Sequence, residues 1–288
     1  LKNNEIIELS EDTGLPINDV NTVFQDIEGN IWFGTGGKGL IRFTGEVFTY
    51  FNDGDLVPSD IIISLTRDNN DNLWLSTYDK GVYRIDQQGN AEQINYLNSS
   101  VWSMGVSGNS VVFGSNLGLH LFDQHEWHGF YEEDGLSSIR IRGIKKISDT
   151  TFLIGTTKGV DKLNIKSKRI TSLLPSNNTL SNVRDFVVDS STIYIAAQSG
   201  VFTYINGKLK VKYKLDAGIN CLEMDDESNL WLGTENGLFI EQKEELIRKP
   251  LEGNNSNDYV NFIRKVDSHV FVGTNNGVFE IDLVDSLQ

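Results

Sequence analysis

Residues 34–39, Gly-Thr-Gly-Gly-Lys-Gly, spell the G-x-G-x-x-G pattern of a dinucleotide phosphate loop. Such a loop works by setting backbone N–H groups and a helix N-terminus against a pyrophosphate, so it must come after a buried strand and open a helix. After Gly39 the chain continues Leu-Ile-Arg-Phe-Thr-Gly-Glu-Val-Phe-Thr-Tyr-Phe, a β-branched and aromatic run that predicts a strand. The glycines must serve another purpose.

Other residues with chemical potential are few. His125 and His128 have a spacing two metal ligands can use, but their flanks read as extended, and residues i and i+3 of a strand point to opposite faces. The single Cys221 excludes an intrachain disulfide and a cysteine-based metal cluster, and in Ile-Asn-Cys-Leu-Glu-Met-Asp it reads as a buried apolar residue rather than a nucleophile. Asp68–Asn72 and Asp225–Asn229 place oxygen ligands at alternate positions, as a calcium loop begins. They coincide with hairpin turns, however, where Asp and Asn are favoured for local reasons, and turn chemistry is the better reading. No metal and no cofactor are expected.

The elements that position these residues emerge from an internal repeat. Seven segments share one template: WFGTGGKGLIRF, WLSTYDKGVYRI, VFGSNLGLHLF, LIGTTKGVDKL, YIAAQSGVFTY, WLGTENGLFIE and FVGTNNGVFEI. Their closing glycines, Gly39, Gly81, Gly118, Gly159, Gly200, Gly237 and Gly277, are 37 to 42 residues apart. Short apolar strands bounded by Asp-, Asn- and Gly-rich turns predict antiparallel meanders of four strands per unit, which is a propeller blade. The fold class is all-β, a seven-bladed β-propeller occupying residues 1–288 as one domain. The last unit, about 258–284, has only three strands before the chain ends. The N-terminal strand, about 5–10, is expected to complete it, because Pro16 and Pro58 each precede the next Trp by sixteen residues. Trp32, Trp74, Val112, Leu153, Tyr194, Trp231 and Phe271 are expected to pack between blades. The small residues beside them, Gly34, Ser76, Gly114, Gly155, Ala196, Gly233 and Gly273, would let the blades approach closely.

The 288 residues carry a formal charge of −15, which disfavours nucleic acid, since binding to phosphate backbones relies on clustered Lys and Arg. No apolar run reaches the roughly 18 to 20 residues of a membrane helix, so this domain is expected to be soluble and to make no membrane contact.

The template D-x-x-G-N-φ-W-φ-G-T-x-x-x-G-φ-x-R-F, clearest from Asp26 to Phe43 and echoed from Asp225 to Phe239, resembles the two-component regulator propeller repeat. The resemblance implies a periplasmic or extracellular sensor region of a bacterial membrane-anchored receptor, of the kind that precedes a histidine kinase or diguanylate cyclase. It also implies glycan fragments as ligands and a homodimer in the full-length receptor. In that family two propellers and an immunoglobulin-like domain are usual, and this sequence holds one ring.

Ligands of propellers gather at the mouth of the central channel, on the face carrying loops into the first strand and turns between the second and third. The equivalent position of each first strand holds Asn21, Ile63, Trp102, Arg142, Arg184, Asn220 or Asn261. The amides, guanidiniums and indole of this set could bond and stack a sugar or hold a carboxylate. Tyr78, with Lys38, Asn116, Lys158, Gln198, Glu235 and Asn275, should rim the same face. The expected activity is non-enzymatic recognition of a small polar ligand, possibly an oligosaccharide. The alternatives are a lyase resembling streptogramin lyase and a protein-interaction scaffold. A lyase needs an acid and a base at the mouth, and His120, His125, His128 and His269 fall elsewhere.

Overall fold

Runs that alternate apolar and polar residues can bury one face of a strand, and each repeat of this chain pairs four such runs into one antiparallel sheet. The computed structural model describes residues 6–283 except 10, 12–13, 16–18, 27, 46, 52–58, 98, 124, 175–179 and 252–258. Blade one comprises Val20–Gln25, Ile31–Thr35, Leu40–Phe43 and Phe48–Phe51, hydrogen-bonded in that order. Blades two to six repeat the pattern from first strands Ile62–Arg67, Val101–Ser107, Ile141–Ser148, Asp185–Asp189 and Ile219–Met224. Blade seven contributes Val260–Val266, His269–Thr274 and Gly277–Asp282.

The fourth strand of blade seven is Ile6–Leu9, antiparallel to Gly277–Asp282 with Ile6 opposite Ile281 and Leu9 opposite Val278. The two ends of the sequence therefore meet in one sheet, which covers an edge that would otherwise present unpaired backbone groups. Pro16 and Pro58, whose spacing predicts this partnership, lie outside the described residues. First strands of neighbouring blades pack against one another all the way round, including blade seven against blade one. They surround the axis. One departure from an all-strand chain is a 3-10 turn at Glu132–Asp134, closed by the Asp134 carboxylate accepting the Tyr131 N–H at 2.9 Å.

A propeller has no single core. Among the described residues seven apolar clusters form, one at each junction between blades, and each holds one of the large residues expected there. Trp32 lies in the cluster of blades one and two, Trp74 in that of two and three, and Val112 in that of three and four. Leu153, Tyr194, Trp231 and Phe271 take the same place at the remaining junctions, the last joining blade seven to blade one. Gly34 and Gly114 are small because the next blade's first strand presses on them. A Cβ on Gly34 would stand 2.7 Å from Ile62 Cγ2, and one on Gly114 would stand 2.5 Å from Ile141 Cγ2. Ser76 uses the same closeness to donate its hydroxyl to Val101 O at 2.7 Å.

Two side-chain devices explain the repeat's polar letters. In the turn between first and second strands, an Asp carboxylate gathers local donors and also the indole N–H six residues later. Trp32 to Asp26, Trp74 to Asp68 and Trp231 to Asp225 measure 2.8, 2.8 and 2.9 Å. These carboxylates therefore bind their own turns, as turn chemistry requires. In the turn between second and third strands, a buried Thr or Ser hydroxyl donates to the carbonyl of the closing glycine, as Thr35 does to Gly39 at 2.9 Å and Thr77 to Gly81 at 3.0 Å. Gly39 has φ +69°, and a Cβ there would stand 2.5 Å from Phe51 O. The G-x-G-x-x-G spelling thus belongs to a β turn, with strand Leu40–Phe43 after it.

Candidate functional site at the axial mouth

Within six of the seven first strands the pairing register slips by one residue, and the slip falls on the candidate position. Val20 pairs with Thr35 and Thr22 with Gly34, which leaves Asn21 as the extra residue of a β-bulge. The same break isolates Ile63, Trp102, Arg142, Asn220 and Asn261 in blades two, three, four, six and seven. In blade five the Arg184 N–H donates to Ala196 O while Asp185 stands opposite Ala196, so Arg184 and Asp185 share one partner residue. A bulge re-aims the side chain it carries. Here it puts the residues on either side of the slip, Val20 and Val23 or Ile141 and Ile144, into one interblade cluster and turns the extra residue out of it.

A second backbone contact sets the rim beside the ring. The first turn residue after the second strand donates to the carbonyl two residues before the bulged one. Gly36 bonds to Asp19 O, Tyr78 to Ile61 O, Thr157 to Arg140 O, Glu235 to Gly218 O and Asn275 to Tyr259 O.

Side-chain contacts build on this backbone frame. Tyr78 meets Trp102 edge to face with centroids 6.5 Å apart, and the Arg142 guanidinium lies 5.8 Å from the Trp102 ring centroid. Arg142 Nη1 donates to Asn116 Oδ1 at 2.8 Å. Arg184 donates to Asn220 Oδ1 and stands 3.8 Å from Glu235 Oε1, and Tyr259 donates to the same Asn220 oxygen at 3.2 Å. Asn261 Nδ2 reaches Asn275 Oδ1 at 3.1 Å. Of the rim set, Tyr78, Asn116, Glu235 and Asn275 thereby join the ring residues. Lys158 instead reaches Glu132 at 3.5 Å.

The asparagines have a structural duty that their sequence did not announce. Asn21, Asn220 and Asn261 donate their amide N–H to Ile62 O, Val260 O and Val20 O of the next blade, at 3.0, 2.9 and 3.0 Å. One N–H of each amide is thereby committed, which narrows what these three side chains can offer a ligand. Burial lowers the Arg142 pKa from its usual value, and the positive charges of Arg184 and Arg140 lower it further. Arg142, beside the Tyr78–Trp102 pair, thus feels two further positive charges in a strongly acidic chain.

The histidines lie elsewhere. His120 is buried on the third strand of blade three, His125 sits in the following turn with φ +75°, and His128 lies on the fourth strand. His269 begins the second strand of blade seven, 3.7 Å from Glu280. Among the described residues no group of three or more His, Cys, Asp or Glu side chains has metal-holding geometry. Cys221 is buried, and burial pushes its thiol well above the ordinary range.

Two segments, residues 14–37 and 56–79, match the family model described as Two component regulator propeller. No curated protein sequence matches this chain. Among solved structures, the extracellular domain of BT4673 from B. thetaiotaomicron, described as a hybrid two component system, aligns with TM-score 0.84 and 22% identity. That alignment covers 99% of this chain and 40% of that one. The extracellular domain of BT3049 from the same organism, described likewise, aligns with TM-score 0.79 and 19% identity over 98% of this chain and 42% of that one. Virginiamycin B lyase from Staphylococcus aureus aligns with TM-score 0.78 and 10% identity, covering 97% of this chain and 99% of the lyase. At these identities the likenesses establish the fold, and this chain spans about two fifths of the length of the first two. The chain is a seven-bladed β-propeller, two segments of which, in blades one and two, match the two-component regulator propeller model.

Proposed function

We propose that residues 1–288 form one ligand-binding propeller domain of an extracytoplasmic two-component sensor, recognising a small polar ligand, a glycan fragment, at the axial mouth. Asn21, Tyr78, Trp102, Arg142, Arg184, Asn220 and Asn261 surround the ligand. The reading rests on the bulged ring: one side chain per blade is excluded from both ladder and core and shares a face with the others. Trp102 and Tyr78 offer a C–H stacking surface, and Arg142 and Arg184 offer forked donors to hydroxyl or carboxylate oxygens. The repeat match and the likeness to two extracellular domains support the extracytoplasmic setting, and occupancy passes onward through contacts between two copies of the receptor.

A lyase reading draws on the likeness to virginiamycin B lyase. Acid–base chemistry at the mouth requires a proton donor and acceptor within hydrogen-bond reach of a bound substrate. The four histidines occupy the outer half of blade three and the opposite face of blade seven, so binding without turnover is the better account.

Calorimetry of the wild-type chain and an Arg142→Ala/Arg184→Ala double variant against an oligosaccharide panel tests the assignment. The expected result is a glycan whose affinity falls by about tenfold or more in the variant. Equal affinity in both would remove the site from the axial mouth.

A further inference from the structure

Blades one and two enclose a cleft of about 510 Å³ on the face opposite the axial mouth, where the turns between first and second strands lie. Its wall includes Trp32, Phe51, Arg42, Arg67, Asp26 and Asp71. Trp32 and Phe51 stack with centroids 5.6 Å apart.

The repeat supplies an internal control for this cleft. Arg42 and Arg84 hold equivalent places in successive blades, each with its guanidinium over the Trp of the adjoining strand, 5.7 Å from Trp32 and 5.8 Å from Trp74. Their cross-strand partners differ. Arg84 faces Glu92 and bonds it at 2.6 Å, whereas Arg42 faces Thr49. Arg42 Nε is buried and has no hydrogen-bond partner. Blade two closes over the fully buried Trp74, while Trp32 lines the open cleft. Unlike Arg84, which pairs with Glu92, Arg42 pairs with no carboxylate among the described residues, so its guanidinium stands at the cleft wall without a charged acceptor.

The charges around it select the acceptor. Glu28 and Asp86 also line the cleft, so four carboxylates face two guanidiniums. Asp26 already takes Trp32 and Asn30, Asp86 takes Asn90, and Asp71 stands 3.2 Å from Arg67. An anion would meet the surplus of carboxylates, and a cation would meet Arg42 and Arg67. A neutral polyol meets neither obstacle: a hydroxyl oxygen accepts from Arg42, its O–H groups donate to carboxylate oxygens, and its C–H face meets the apolar wall of Phe24, Leu73 and Ile85 beside Trp32. The volume suits one or two sugar units.

We propose that this cleft is a second carbohydrate site, independent of the axial mouth, that takes a neutral pyranose with Arg42 as the principal donor. The test monitors the indole ¹⁵N–H resonance of Trp32, assigned with a Trp32→Phe variant, while the full chain is titrated with glucose, galactose, mannose and xylose. At least one sugar should shift that resonance saturably. Arg42→Ala should weaken it about tenfold or more, and the Arg142→Ala/Arg184→Ala variant should leave it unchanged. Thr49→Glu, which recreates in blade one the ion pair of blade two, should abolish binding without lowering the melting temperature, and so separates loss of the site from loss of the fold. The proposal is overturned if none of the four sugars moves the resonance, if binding survives both blade-one variants, or if glucuronate or glucosamine binds more tightly than glucose.

Discussion

Asp68 Oδ2 accepts the indole N–H of Trp74 at 2.8 Å, while Oδ1 takes the backbone N–H groups of Asn70 and Asn72 at 2.9 and 3.0 Å. One carboxylate thus fixes a hairpin turn and also satisfies the polar atom of a side chain that is 0% exposed. Replacing Asp68 by Ala strands a buried donor and unties the turn, and should lower unfolding free energy by about 2–3 kcal/mol. Asp68→Asn, which keeps an acceptor oxygen, should lose less. Urea denaturation monitored by tryptophan fluorescence reads both values, and a loss under about 0.5 kcal/mol for the Ala variant would contradict the role.

Asn261 is the polar stitch between the last blade and the first, through its bond to Val20 O. Asn261→Ala should destabilise the ligand-free chain by about 1 kcal/mol, and Asn21→Ala, which removes the equivalent bond from blade one to blade two, should do the same. Denaturation midpoints without ligand are the measurement. A much larger loss at Asn261 than at Asn21 would mean that ring closure is the weaker joint.

His120 lies between the rings of Tyr96 and Tyr131, at 5.8 and 6.2 Å, and burial pulls its pKa down to about 4. The unfolded chain binds its proton near pH 6.5. Between those values the unfolded state carries more protons than the folded one, so this residue's contribution is complete above pH 6.5 and is lost as pH falls toward 4. His120→Phe should flatten that part of the stability profile, with the two proteins diverging by roughly 1–3 kcal/mol across it. Parallel slopes for the two proteins from pH 7 to pH 4.5 would show that another group is responsible.

Gly114 leaves no room for a methyl group against Ile141 of the next blade. Gly114→Ala should cost about 1–3 kcal/mol through a forced separation of blades three and four. Thermal melting checks this, and Gly45→Ala makes a poor control because its φ of +91° strains any side chain. Asn109→Ala, at an exposed turn residue of blade three, is the better one.

The repeat makes the blades, their strands and the closing partnership of Ile6–Leu9 with Gly277–Asp282 readable, because each depends on a pattern that recurs. Trp32 and its counterparts are readable for the same reason. The bulge is harder to read, although it leaves a signal. Val20 and Val23, Ile62 and Leu65, Ile141 and Ile144, Ile219 and Leu222, and Val260 and Ile263 are apolar pairs three apart in strands whose period is two. Only an extra residue between them lets both reach one core. The duty of the asparagines and the unpaired Nε of Arg42 stay hidden for a different reason. Each depends on what the neighbouring blade or strand offers, and a sequence compared with itself shows which residues are equivalent, not what they touch.

In a regular ladder each residue answers to a partner across the strand and to a core beneath it. The slip in six of the first strands releases one residue from both obligations. This chain already displays an amide, an aliphatic group, an indole and a guanidinium at that place, on blades of the same build. Such a propeller behaves as a wheel with seven interchangeable teeth, on which recognition can be recut tooth by tooth while the hub stays as it was.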